Sequence, residues 1–301
     1  MLNEHTLWVA GILCLNLALS VIAISLFRYL QGVLAGVNTT EELSRKDNFA
    51  FGISFAGGAL ALAMIIASAV GGEPSASLIT EAINVAVYAL LGIVLLKIGT
   101  LVNDALIFHR FSLKAEIYRE NISAGIIQAA NFLALGIIIQ SSIRWVETES
   151  WDGLVSVIFV FIASQVLLLC VTRLRARIYM RRHQGQRLQD VLKEGNPALA
   201  IRYAGHIIAA ALGISAAAHL IAYMPETPWI SAIIWLVVSV TIAGLITLLS
   251  MIARCIILKG IDTVEEVDNQ KNIGVAFIEA EIFISIAIIL NPIMTMLDSI
   301  I

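Results

Sequence analysis

The sequence predicts an all-α membrane protein, eight transmembrane helices arranged as two parallel four-helix repeats. Three observations carry that prediction. The 301 residues are 59% hydrophobic and 14% charged, with a mean hydropathy of +0.90, whereas a soluble domain is about 45–50% apolar and about a quarter charged. Eight apolar runs reach the roughly 20 residues that a helix needs to cross a hydrocarbon core of about 30 Å. The second half of the chain also repeats the first.

The predicted spans cover 6–30, 49–71, 78–106, 121–143, 153–173, 197–222, 229–256 and 273–296. No basic segment precedes the first, and its apolar run from Leu7 to Leu26 is too long for a signal peptide, so it is expected to be a retained helix. Several runs exceed a perpendicular crossing and should tilt or extend into water. Asn48, Asn121, Asn196 and Asn272 each open a span, where asparagine is a strong N-cap, and Pro197 sits where an N1 proline belongs. Thr39-Thr40-Glu41-Glu42 reads as a Thr-x-x-Glu capping box, which predicts a short interfacial helix before span two. Cys14, Cys170 and Cys255 are isolated; with no CxxC or His/Cys cluster they read as small packing residues rather than metal ligands.

Basic residues tend to lie on the cytoplasmic side of membrane proteins. With the N-terminus outside, the inner loops are 31–48, 107–120, 174–196 and 257–272. All of the 19 basic residues except Arg144 then fall in those loops or toward the inner halves of the adjoining spans. Acidic residues Glu4, Glu73, Glu147, Glu149, Asp152, Glu226 and Asp298 mark the outer side. Trp8, Trp145, Trp151, Trp229 and Trp235 fall near the outer interface, as an aromatic belt would. Both termini are therefore expected outside.

The repeat is visible in two blocks. Residues 45–64 align with 193–212 at an offset of 148, and residues 121–138 align with 272–289 at an offset of 151. Repeat one is expected over 1–148 and repeat two over 149–301, both entering the membrane in the same direction and related by a pseudo-twofold axis along the membrane normal. Asn48-Phe49-Ala50 and Asn196-Pro197-Ala198 lead into small-residue helices, and Asn-Ile opens the last helix of each repeat. In these features the chain resembles the bacterial YjfL-like inner-membrane family, known as domain of unknown function 350, a four-helix unit found singly or in tandem. The resemblance implies a bacterial inner membrane and supplies no catalytic residues.

No nucleophile–base pair, metal motif or phosphate-binding loop stands in a usable context, so neither enzymatic activity nor a cofactor or metal is expected. Small residues recur every fourth position in span two (Ala59, Ala63, Ala67, Gly71) and span six (Gly205, Ala209, Gly213, Ala217), a pattern that lets helices approach closely in lipid. Gly57-Gly58 is the one mid-span candidate for a helix break, and Pro292 lies near a helix end. Lys97 and Asp104 share a face of span three near its inner end, where lysine can snorkel to water.

The segment from Arg173 to Glu194 carries seven basic residues against two acidic ones. Arg177, Arg181, Arg182 and Arg187 are candidate contacts for anionic lipid at the cytosolic face. Without a folded basic domain or aromatic platform, nucleic acid is not an expected partner. A homo-oligomer or a cytosolic partner protein is compatible with this pattern.

Ionisable residues within spans are costly and count as functional candidates. Arg202, His206, Glu279 and Glu281 form such a set. Counted at about 1.5 Å per residue from Asn196 and Asn272, they lie roughly 9, 15, 10 and 13 Å into spans six and eight. Their counterparts in repeat one, Ser54, Gly58, Gln128 and Ala130, are uncharged. Charge thus appears on both helices of one repeat and on neither helix of the other, which predicts an Arg202–Glu279 pair, with His206 or Glu281 as the proton-responsive group. The leading functional expectation is permeation or proton/ion-coupled transport of a small solute. The alternative is a non-transporting scaffold or lipid-responsive envelope protein.

Overall fold

The computed structural model describes residues 4–71, 77–146 and 153–298. The expectations for Glu73, Glu147, Glu149, Trp151 and Asp152, and for the side chains of Glu4 and Asp298, lie outside the described residues. Eleven α-helices follow in order: α1 (Glu4–Ala35), α2 (Thr39–Ser44), α3 (Phe49–Val70), α4 (Leu78–Val102), α5 (Leu113–Tyr118), α6 (Ile122–Val146), α7 (Gly153–Arg182), α8 (Leu188–Lys193), α9 (Pro197–Ala216), α10 (Pro228–Ile257) and α11 (Ile273–Asp298). Eight of these are long and apolar enough to cross a membrane. The short helices α2, α5 and α8 each precede such a span, and a π-helical turn over Glu265–Asn269 occupies the corresponding place before α11.

The four entries from the basic face are built alike. Asp47, Glu120, Gly195 and Lys271 take positive φ, which turns the chain so that the next residue, an asparagine, can cap the span. The side-chain oxygens of Asn48, Asn121, Asn196 and Asn272 accept from Phe51, Ala124, Leu199 and Val275 N–H at 2.9–3.3 Å. Each such cap is worth about 1 kcal/mol. The amide nitrogens then tie neighbouring segments: Asn48 donates to Glu42 and to Ile117 O, and Asn272 donates to Glu266. Burial opposes ionisation of Glu42, but hydrogen bonds from Lys46 and Asn48 hold its carboxyl below the usual range. The expected capping box is therefore not what starts α2. Asn38 is the cap, accepting from Thr40 and Glu41 N–H, and Glu42 faces inward to serve Asn48 instead.

Within each repeat the second and fourth spans pack most closely, α3 on α6 and α9 on α11. A Cβ on Gly57 would lie 2.6 Å from Ala129 Cα, and one on Gly136 would lie 2.7 Å from Ala61 Cα. Gly205 meets Ala280 in the same way, and these are the offset partners of Gly57 and Ala129. The span-six stripe is buried as expected. The span-two stripe is not: Ala67 and Gly71 are exposed, and the buried seam runs through Ser54, Gly57, Gly58 and Ala61. Alanine and glycine occur on several faces of α3, so spacing alone picked the wrong face, and Gly57-Gly58 packs closely without breaking the helix.

Other expectations change with the packing. Span five does not stop at 173; α7 continues to Arg182 and converts the front of the basic loop into helix. Trp235 is 1% exposed and donates to Ile214 O, with Trp145 stacked edge-on to it. These two tryptophans fill the end of the core opposite the basic face, while Trp8 and Trp229 stay exposed. All three cysteines are exposed: they lie on outward faces, where lipid supplies the apolar surroundings that a core would supply in water. Finally, α6 joins the repeats by packing on α9 and α7, but α11 does not pack on α3. A pseudo-twofold would require both contacts, so the repeats follow one another head to tail.

Candidate functional site: two cavities at the basic face

Each repeat holds a cavity near the basic ends of its helices, and the two are counterparts. The cavity of repeat two, about 130 Å³, is lined by Arg202, Glu279, Phe283 and Asp268 among others. That of repeat one, about 280 Å³, is lined by Ser54, Gln128, Phe132 and Ile117, the residues at the matching offsets.

In repeat two the space is crossed by ion pairs. Glu279 on α11 is 1% exposed. One of its carboxylate oxygens accepts from Arg202 Nε at 2.7 Å and the other from Arg254 Nη1 at 2.8 Å. Arg202 on α9 uses its remaining nitrogens on the Asp268 carboxylate and Thr263 O. Asp268 reaches inward from the π-helical turn, and its other oxygen meets His183 Nε2 at 3.2 Å. Burial pushes the Asp268 carboxyl up, partly offset by the charges of Arg202 and His183. The extension of α7 brings the Arg175 guanidinium to 5.4 Å from the centroid of Phe283. His206 packs edge-on against the same ring at 4.1 Å, and its Nε2 has no hydrogen-bond partner among the described residues.

The sequence-derived set therefore separates. Arg202 and Glu279 pair, His206 borders the cluster, and Glu281 leaves it. Glu281 is exposed on the outer face of α11, where it accepts from the Ser285 hydroxyl; two residues along a helix turn the side chain by about 200°. Arg177, Arg181, Arg182 and Arg187 are all exposed. Missed were Asp268, Arg254, His183 and Arg175. A signal for Asp268 existed in the repeat. Its counterpart Ile117 is buried, and Asn196 donates to Asp268 O as Asn48 does to Ile117 O. A charge at such a position is buried too, and so needs a cation.

The cavity of repeat one has no such network. Lys97 on α4 reaches over the Phe27 ring, 5.4 Å from its centroid, and forms no ion pair among the described residues. Asp104 also lines the space, but its carboxylate oxygens accept from the Ser112 hydroxyl at 2.9 Å and Leu113 N–H at 3.2 Å. Lys114 donates to Leu34 O. Gln128 replaces the carboxylate of Glu279, is 6% exposed, and leaves its Nε2 without a partner among the described residues. The Lys97 ammonium and the Gln128 amide thus face a roomy, mostly apolar pocket that Gln31, Asp104 and Lys114 also line. Among the described residues no group of three or more His, Cys, Asp and Glu could hold a metal ion.

The comparisons with known proteins agree with the architecture. Residues 5–143 and 149–294 each match the family model described as Domain of Unknown Function (DUF350). A UPF0719 transmembrane protein of Aquifex aeolicus (strain VF5) is 29% identical over 122 residues, which is 40% of this chain and 45% of that relative. The match thus spans less than half of the relative's length. No solved structure matches. With two matches that together cover nearly the whole chain, this multi-pass membrane protein belongs to the DUF350 family and carries two tandem copies of its unit.

Proposed function

We propose that the protein is a permeation pathway or coupled transporter for a small anionic solute, with the cavity of repeat one as the solute site. The observation that supports this reading is the donor set of that cavity. Among the described residues Lys97 lacks a carboxylate partner and Gln128 has an unused N–H, whereas Glu279, which takes the place of Gln128 in repeat two, is held between two arginines. A desolvated ammonium beside an amide donor favours a carboxylate or oxyanion, since a buried charge is stable only when paired. The closed cluster of repeat two acts as a rigid clamp between α9, α10 and α11.

Reconstitution into proteoliposomes tests the proposal, with uptake of chloride, inorganic phosphate, acetate and succinate measured one at a time. At least one of these anions is expected to enter faster than into protein-free vesicles, and Lys97→Met is expected to reduce that uptake at least tenfold. Uptake that Lys97→Met leaves unchanged, or no uptake of any of the four, would count against it. In the latter case, weaker binding to vesicles rich in anionic lipid after neutralising Arg177, Arg181, Arg182 and Arg187 would favour the scaffold reading.

The proposal includes an orientation, with the basic face in the cytoplasm of a bacterial cell and both termini outside, supported by the Lys/Arg asymmetry. A single cysteine replacing Gln186, on a background lacking the natural cysteines, is expected to stay unlabelled by an impermeant maleimide added to intact cells. Labelling without permeabilisation would reverse the orientation.

A further inference from the structure

The head-to-tail order of the repeats leaves each chain with two unfilled faces that match each other. Inside the chain, α6 of repeat one seats on α9 of repeat two. Asn131 accepts from the Tyr203 hydroxyl at 3.1 Å, and the Ser141 hydroxyl donates to Ser215 O at 3.2 Å. The counterpart of α6 is α11, and the counterpart of α9 is α3. These two helices form no extensive contact within one chain.

Burial records the difference. In the most apolar stretch of α6, 78% of residues are buried, but only 44% are in α11; the figures are 72% for α9 and 50% for α3. Ile127, Ala130 and Ile138 are buried on α6, whereas their counterparts Ile278, Glu281 and Ile289 are exposed on α11. On the other side, Ala204 and Ser215 of α9 are half-buried, whereas Ala56 and Ala67 of α3 are exposed.

We propose that α11 of one chain docks on α3 of a second copy, so that the internal α6–α9 interface is repeated between chains. The occupant is a second copy because the surface that α11 would need is the repeat of one already seated within this chain. Two details fit that partner. The small residues Ala56, Ala59, Ala63 and Ala67 on α3 permit the close backbone approach on which helix association in lipid depends. Glu281 would exchange a lipid-facing position, expensive for a carboxylate, for a protein interface. The contact is heterologous, so assembly ends in a ring if the rotation closes and in an open row otherwise.

The internal Ser141–Ser215 contact locates the test. At the matching offsets, Pro292 of one chain should lie against Ala67 of the next. On full-length protein with the natural cysteines replaced by serine, Ala67→Cys and Pro292→Cys are made separately, co-expressed in membranes, and oxidised with copper phenanthroline. Cross-linked dimers are expected only when both variants are present, and the chain carrying both substitutions should give higher multimers or a closed ring. Adding Ala56→Trp is expected to reduce the cross-link at least tenfold while the unfolding midpoint of the detergent-solubilised monomer stays unchanged, because Ala56 is exposed in a single chain. Dimers from Ala67→Cys alone would show a twofold contact and overturn the proposal. So would an absence of cross-links with only monomers in native mass spectra of membrane-extracted protein.

Discussion

Replacing Glu279 with glutamine is expected to destabilise the protein by about 3–5 kcal/mol, the usual cost of removing one partner from a buried ion pair. The size of the effect follows from the geometry. Glu279 is 1% exposed and both its oxygens are taken, one by Arg202 and one by Arg254. The amide of glutamine can accept on one side only, so at least one guanidinium is left facing an N–H. Glu281→Gln is the matched control: it lies two residues along the same helix but outside the cluster, and because it neutralises a lipid-facing carboxylate without breaking an ion pair it should leave stability unchanged or raise it. Arg202→Gln also costs stability, since it leaves Glu279 with Arg254 alone and Asp268 with His183 alone. Combined with Glu279→Gln, it should cost less than the sum of the two single losses, because the double variant removes a cation and an anion at once. Thermal unfolding of detergent-solubilised protein measures all four. Equal losses for Glu279→Gln and Glu281→Gln, or strictly additive losses for the pair, would mean that Glu279 is not held as a buried carboxylate.

The fold was legible because lipid makes unusual demands on sequence. A spanning helix must be apolar over about 20 residues, so the eight spans stand out without any knowledge of packing. The turns that feed them were legible through their asparagines, which cap all four entries from the basic face. The faces of the helices were harder to read. An outward face in lipid is as apolar as a buried one, so hydrophobic periodicity carries little information. That is why the stripe through Ala59 and Ala63 looked like a packing seam, and why exposed cysteines looked like core residues. Comparison of the repeats supplies what periodicity lacks. Gly205 and Gly57 occupy the same register, and so do Asp268 and Ile117.

The candidate sites were legible in proportion to how local they are. The Arg202–Glu279 pair followed from matched depth on two helices and from the joint absence of charge in repeat one. Arg175 and His183 were missed because α7 runs on past the apolar stretch to Arg182, and hydropathy ends a helix where its apolar residues end. Asp268 was missed because it lies in a segment that reads as a solvated loop and only the π-helical turn directs it inward. The cavity of repeat one was named only through Lys97 and Asp104. Its defining feature, an ammonium without a carboxylate, depends on Asp104 being occupied by the turn at Ser112 and Leu113.

The close seam between helices predicts a second large effect, one that separates packing glycines from incidental ones. In a helix interior, Gly→Ala normally stabilises by roughly 0.5–1 kcal/mol, because it lowers the conformational entropy lost on folding. At Gly205 the added Cβ would meet the backbone of Ala280 on α11, and at Gly57 that of Ala129 on α6 at 2.6 Å. Neither neighbour is a flexible side-chain end, so the whole helix must shift to make room. Gly205→Ala and Gly57→Ala are each expected to destabilise by about 1–3 kcal/mol, the usual cost of overpacking, and valine should cost more. A methyl group added to Gly244 on α10 would find nothing within 4 Å, and the same holds for Gly11 on α1. Alanine at those positions should be neutral or raise stability by up to about 1 kcal/mol. Gly57 and Gly205 lie in different repeats and press on different neighbours, Ala129 and Ala280, so their losses should add to within about 0.5 kcal/mol. Unfolding midpoints in detergent for the four single variants and the Gly57→Ala/Gly205→Ala double variant decide the matter. If alanine is tolerated equally at all four positions, the α3–α6 and α9–α11 pairs do not approach closely enough to exclude a methyl group; if only one of the two seam variants is destabilised, the repeats do not share the same close packing.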